Sequence, residues 1–346
     1  MIEPVFRKED FTLCKVPVPK GYPQSQTHTG VAINNGRIYL TTSPYPSIRR
    51  SKIRAYLRAA INKLTLYKLL DNRPSDSFEN PCLYVGRDNG MFPPTQFVPF
   101  TNNPLMGTPD SFYGMPSFNS DPDIYIENDD IYVLNRAVHR RPLENGGFNF
   151  DCRLFLIEGK LINEKYRYMG TKVLLDDVVC GSPSLIKRKN GFFLISISSN
   201  CYNDGSNLFS LKKMYSDVID GFNNESIWEN IEVEVDGFTP WHISVFSYEN
   251  VCYAVVACVK NGDKQRCWQM LGKFNDNLSL LKIFNTPLCD YNSYRSAALV
   301  DGNGEFILYN TTVHERIKGS KAVDGRNVIV AHRRFTEVIS KINNNE

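Results

Sequence analysis

Five stretches of the chain repeat one order of apolar and polar positions. Each has a small or polar entry, a short apolar run, a turn, and then an aromatic-rich apolar run. They span residues 29–43, 121–136, 182–198, 241–258 and 294–311. Runs of this length bounded by turn residues read as strands. The turns fall on Asn35-Gly36, Asp129-Asp130, Asn190-Gly191, Glu249-Asn250 and Asn303-Gly304. Asn-Gly between two such runs favours a two-residue hairpin, because both central residues must take positive φ. Further strand-like runs follow, as at 82–86, 152–159, 266–274 and 325–335.

From the second unit onward the entries recur every 53 to 61 residues. An antiparallel unit recurring at about that period is the mark of a propeller blade. The pattern predicts an all-β, five-bladed β-propeller over 25–338, with blades near 27–100, 119–178, 180–236, 239–286 and 292–338. An N-terminal arm (1–24) precedes it and a tail (339–346) follows. A β-sandwich is the alternative, although it does not require the recurring entry. The first interval is longer, and one amphipathic helix is predicted there as an insertion over 47–72. Ile53, Leu57, Ala60, Ile61, Leu64 and Leu69 fall near a 3.6-residue period, while Arg50, Arg54 and Arg58 line another face. That basic face is either solvated or docks a protein partner.

Composition narrows the function classes. A formal charge of +3 over 346 residues implies no general field for polyanions, so nucleic acid is not expected as a partner. No window is long and apolar enough to cross a membrane as a helix, and the first ten residues lack the apolar core of a signal peptide. The expectation is synthesis in a cytoplasm. The nine cysteines are scattered without a CxxC pair, which suits small buried hydrophobes better than a zinc site. No metal and no cofactor is expected.

In a propeller the innermost strand of every blade begins beside the central channel, so the entry residues converge. Here they supply His28, Asp121, Asp123, Trp241, His242, Tyr294 and Arg295, with Glu79 ahead of the next strand of the first blade. Aromatic faces stack on sugar C–H groups, while Asp, His and Arg bind hydroxyls, so the set suits a carbohydrate. His28, Trp241, His242, Tyr294 and Arg295 are the expected sugar-binding residues. Each has a structural alternative; Arg295, for one, can tie neighbouring blades by donating to carbonyls.

The succession TSPYP, ENPCLYVGRDNG, NSDPDIYIENDDIYVLNR, GSPSL, PWHIS and YRSAALVDGNGEFILYN resembles five-bladed propellers related to glycoside hydrolase family 43. The resemblance covers roughly residues 25–335 and extends to members in gut bacteria and on the tails of their phages. It implies a site at the channel mouth with three carboxylates, acting as base, pKa modulator and acid. The entries of the first and third units hold no acid, and only the second matches, through Asp121 and Asp123. Cleavage by an acid and a base needs two carboxyls at a defined separation, about 5.5 Å for retention or 6.5–9.5 Å for inversion. Glu79 with Asp121 or Asp123 is the available pair. Two readings stay open: an active glycoside hydrolase, or a glycan-recognising propeller with a degenerate pocket. The second carries a role in a virion-associated assembly such as a phage tail, docked to its neighbours through helix 49–70.

Overall fold

The computed structural model describes residues 2–20, 22, 24–45, 79–88, 90–100, 103–107, 117–142, 148–178, 180–199, 208–322 and 325–345. The expected helical insertion at 47–72, with Arg50, Arg54 and Arg58, lies outside the described residues.

The described chain is almost entirely β. After a short strand β1 (Thr12–Leu13), strands β2–β5 (Ser25–Asn34, Arg37–Tyr45, Cys82–Gly86, Phe97–Pro99) meander through one antiparallel sheet. Strands β6–β9 (Phe118–Glu127, Asp130–Pro142, Phe148–Ile162, Lys165–Val178) form the next. Then come β10–β13 (Ser184–Arg188, Gly191–Ser199, Phe209–Ser216, Glu229–Glu234) and β14–β17 (Phe238–Tyr248, Val251–Lys260, Asp263–Phe274, Leu280–Pro287). These two antiparallel runs join into one eight-stranded sheet, through parallel pairing of β13 with β17 at their outer edges. The last strands, β18–β20 (Ala297–Val300, Glu305–Thr311, Val328–Arg334), acquire a fourth from the other end of the chain, because β1 pairs with β20.

Two hairpins close on the expected residues: Asn35 and Gly36 both take positive φ (50° and 73°), as do Glu249 and Asn250 (48° and 63°). In the second and third the turn sits one residue earlier than expected, on Asn128-Asp129 and Lys189-Asn190, with Asp130 and Gly191 already in β7 and β11. The last closes through residues 301–304.

Each sheet packs on its successor. Leu83 and Tyr39 meet Ile131 and Val133 between the first two sheets, and Leu154 and Leu156 meet Leu194 and Met214 at the next junction. Ile195 and Leu211 then meet Val256 and Met270, and Phe246 and Leu271 meet Phe306 and Leu308. The order closes on itself, for Leu40 and Tyr84 pack against Ile307, Tyr309 and Val330. Fully burying one such side chain contributes about 1.5–3 kcal/mol, so the junctions hold the sheets in place.

Two expectations about the chain ends change. The residues read as a tail are the second half of helix α1 (Phe335–Asn345), whose Phe335, Val338 and Ile342 are buried with Val5, Phe6 and Phe306. Nor is the N-terminal stretch a detached arm. Beyond the β1–β20 pairing, Phe6 bridges Cys289, and Lys15 exchanges backbone hydrogen bonds with Thr95 and Phe97 of the first sheet. This seam ties the last sheet to the first. The eight described cysteines are all buried.

Candidate functional site

The inner strands do not run straight. The β2–β3, β6–β7 and β14–β15 ladders each shift register near the entry, between Thr27 and Gly30, Ser120 and Asp123, and Pro240 and His242. At the first two bulges the extra residue takes a left-handed backbone: His28 at φ 56° and Asp121 at φ 52°. Ser182, just before β10, does the same at φ 42°. Non-glycine residues seldom adopt this conformation, and a bulge re-aims the side chain it carries. Local backbone strain of this kind concentrates at functional sites.

The result is one buried polar cluster. Asp121 is fully buried, and its Oδ1 lies 2.5 Å from His28 Nδ1 and 3.4 Å from His242 Nδ1, while its Oδ2 lies 2.5 Å from Arg136 Nη2. Arg136 also donates to the Cys180 carbonyl at 3.0 Å. On the far side of His28, Nε2 faces Ser120 Oγ at 3.4 Å and Glu79 Oε2 at 3.7 Å. The Glu79 loop is anchored through Asn80, whose amide oxygen accepts a 2.7 Å bond from Asn119. The Tyr294 ring stands 5.1 Å from His28 and 4.7 Å from His242, centroid to centroid.

Charge states follow from these neighbours. Burial alone would push the Asp121 carboxyl up, but Arg136, His28 and His242 outweigh it and hold it well below the usual range, so it is ionised. Burial pulls His28 down, yet Asp121 and Glu79 leave its imidazole above the ordinary value. His242 goes the other way. Its burial, with His28, Arg295 and Arg136 nearby, prevails over Asp121 and keeps the ring neutral. Burial raises the Tyr294 phenol, which stays protonated and able to donate.

Donor atoms of His28, Asp121 and His242 lie within 4.8 Å of one another, the one group of this kind among the described residues. Asp121 is paired with His28 Nδ1 and with Arg136, each at 2.5 Å, whereas both ring nitrogens of His242 are buried without a well-formed hydrogen bond. Such orphaned groups cost about 1–3 kcal/mol each. Two imidazoles and a carboxylate form a donor set for zinc or another divalent transition ion. His28 has the outer contacts that ligating histidines carry, since Ser120 and Glu79 engage Nε2 and leave Nδ1 facing Asp121. The residues present therefore fit a metal ion.

The other expected site residues are placed differently. Asp123 lies between sheets: its Oδ2 accepts from Ser184 Oγ (2.8 Å) and from the Leu185 N–H (2.9 Å). Burial nevertheless pushes this carboxyl up. Arg295 is fully buried and donates to the carbonyls of Pro122 (3.1 Å) and Pro183 (3.2 Å), tying two sheets together as its structural alternative foresaw. Trp241 is half-buried against Ala257, Val259 and Cys267 of its own sheet, with its ring 5.4 Å from that of His242. Residues not singled out from sequence are Arg136, Ser184 and Arg326. An arginine at the end of the apolar run 131–134 was the available signal for Arg136. Metal ligation had no local motif, because positions 28, 121 and 242 meet only through the sheet packing.

No family model and no curated protein matches the chain. Solved structures do. An N-acetylgalactosamine deacetylase from F. plautii, in complex with blood group B trisaccharide, is 13% identical over 95% of this chain and 96% of its own, with a TM-score of 0.67. A xylan β-1,4-xylosidase from Bacillus halodurans is 12% identical over 91% of this chain, with a TM-score of 0.58. A GH43 protein from Bacillus licheniformis is also 12% identical, over 92%, with a TM-score of 0.53. The chain spans about half the length of the latter two, 54% and 57%. In fold, then, the chain is a glycoside-hydrolase-like β-propeller, similar to the family-43 enzymes that its entry motifs resemble.

Proposed function

We propose that the chain is a five-bladed propeller whose channel-mouth site binds a carbohydrate and hydrolyses an acyl substituent on it with a divalent metal ion. The blades are the sheets β2–β5 and β6–β9, the two halves of the eight-stranded sheet, and β18–β20 completed by β1. The observation that carries the reading is the convergence of donor atoms of His28, Asp121 and His242 within 4.8 Å of one another, with both His242 nitrogens lacking a well-formed hydrogen bond. A paired-carboxylate glycosidase is less well supported. Asp121 is committed to Arg136 and two histidines, and Asp123 spends Oδ2 on the backbone and side chain of the next sheet. The deacetylase, matched over nearly the whole of both chains, acts on an N-acetyl sugar by its printed description, which favours an amide over a glycosidic bond.

The residues divide the work accordingly. His28, Asp121 and His242 would hold the ion, which when bound polarises a carbonyl and acidifies a water. Glu79, 3.7 Å from His28 Nε2, would hold that imidazole in the orientation that presents Nδ1 to the ion. Tyr294, protonated, can donate to the oxygen that gains negative charge. Its ring and that of Trp241 offer faces for the sugar.

One observation favours a second reading. Asp121, His28 and His242 are each at most 3% exposed, which suits a structural ion below a rim that binds sugar without turnover. That is the recognition role expected from sequence, with assembly into a virion as its setting.

The test measures bound metal and acetate release from N-acetylhexosamine oligosaccharides, with reducing ends counted in parallel. Wild type should carry close to one ion per chain and release acetate. Asp121→Asn and His242→Ala should lose both, the rate falling on the order of 100-fold or more. New reducing ends without acetate would replace this reading with a glycosidase. Metal and sugar binding without either product would establish recognition alone.

A further inference from the structure

Beside the central cluster lies a second concavity of about 690 Å³, within the range of small-molecule sites. Its wall is made by β1 and the residues after it, by β5, and by 319–322 and 326–328. Lys15, Arg87, Lys321 and Arg326 line it, and among the described residues no acidic one does. The first three are exposed, and none of the three has a carboxylate partner among the described residues. Cations gathered around a concavity focus a positive potential into it, although the chain as a whole is only slightly basic. Solvated lysines scattered over a convex surface would not.

Arg326 connects this cavity to the centre. Its guanidinium stacks 3.7 Å from the Tyr45 ring centroid and 5.1 Å from that of Tyr294, and it donates to Thr27 Oγ1 at 3.4 Å. Tyr294 in turn faces both histidines of the cluster. One arginine thus forms a wall of the cavity and touches the aromatic ring of the central site.

We propose that the cavity is a second subsite that binds the anionic group of an acidic sugar, a carboxylate or a sulfate ester, while a neighbouring sugar sits at the central cluster. This rests on the reading of the centre as a saccharide site and adds to it the chemical class of the ligand. A planar guanidinium pairs with either anion in a forked arrangement, and the lysines supply point charges around it.

Calorimetric titration decides it, with tri-galacturonate as the carboxylate probe, a 6-sulfated N-acetyllactosamine as the sulfate probe, and xylotriose as the neutral control. The proposal expects an acidic probe to bind at least about 10-fold more tightly than xylotriose in wild type. It expects Arg87→Ala/Lys321→Ala to remove about 10-fold of that, the loss for two charge-assisted contacts at an open wall. Both side chains are exposed, so the double variant should fold, and its metal content and xylotriose affinity should match wild type. Whichever acidic probe shows the preference identifies the anion. Equal binding of neutral and acidic probes, or an acidic preference that survives in the double variant, would overturn the subsite. If acidic probes bind and the double variant weakens them while wild type holds no metal and releases no acetate, the subsite stands and the reading of the centre falls. No binding of any probe overturns both.

Discussion

Asp121 and Asp123 stand two residues apart on one strand, both buried, and their surroundings teach opposite lessons. Asp123 is satisfied: the Leu185 N–H and the Ser184 hydroxyl bond its Oδ2, and Arg295 lies 3.9 Å from its Oδ1. Ser184 passes the connection on by accepting from the Val245 N–H at 3.0 Å. Through this one carboxylate β6 is stitched to β10 and β14, the inner strands of the two halves of the eight-stranded sheet. Asp121 sits at the bulge, in a left-handed backbone, and meets cationic or imidazole side chains: His28 and Arg136 at 2.5 Å and His242 at 3.4 Å. A carboxylate bonded to the backbone and hydroxyl of the next sheet holds a fold together, whereas one set among imidazoles and a guanidinium offers a charged donor atom to a ligand. Position in sequence does not separate the two roles; the chemistry of the partners does.

The contrast breaks first at Asp123. Asp123→Ala leaves the Leu185 N–H buried without its acceptor and Arg295 buried without this counter-charge, and removing one partner of a buried ion pair costs about 3–5 kcal/mol. The expected result is a large drop in the denaturant midpoint. If Asp123→Ala were instead as stable as wild type but inactive, Asp123 would belong to the site and the contrast would fail. Ser184→Ala is the milder version. It removes one donor to Asp123 and one acceptor for Val245, for a loss of about 1–3 kcal/mol, and urea unfolding should rank it between wild type and Asp123→Ala.

Much of this arrangement was legible in the chain, and the gaps have physical causes. Strand runs and Asn-Gly turns are local signals, so hairpins such as 29–43 and 294–311 could be read directly. Convergence of His28, Asp121 and His242 follows from the repeat, because equivalent entries must meet. What stayed hidden depends on which atoms are satisfied. The sequence cannot show that Asp123 finds Ser184 and Leu185 while Asp121 does not, nor that Arg295 donates to two prolyl carbonyls. α1 was legible and was missed: Phe335, Val338, Ile339 and Ile342 follow the i, i+3, i+4, i+7 rule, but they trail directly from β20 into an asparagine run. The cavity beside Arg326 is assembled from both chain ends and could not be read from either alone.

The smallest expected effect on stability is the most diagnostic. His242→Leu replaces a buried neutral ring, both of whose nitrogens lack partners, by an apolar side chain that needs none. For a histidine whose role is structural the change should cost a hydrogen bond's worth or more, about 1–3 kcal/mol. For a ligating histidine in metal-free protein it should cost within about 1 kcal/mol of nothing, or stabilise, since desolvated unpaired nitrogens disappear. The measurement is a pair of urea transitions, wild type against His242→Leu, each with chelator and with added zinc. The expected pattern is near-equal stability in chelator and a zinc-dependent gain in wild type alone, because an ion that binds only the native state raises its stability. A variant clearly destabilised even in chelator would return His242 to the packing of its sheet and erase the difference between the two aspartates' neighbourhoods.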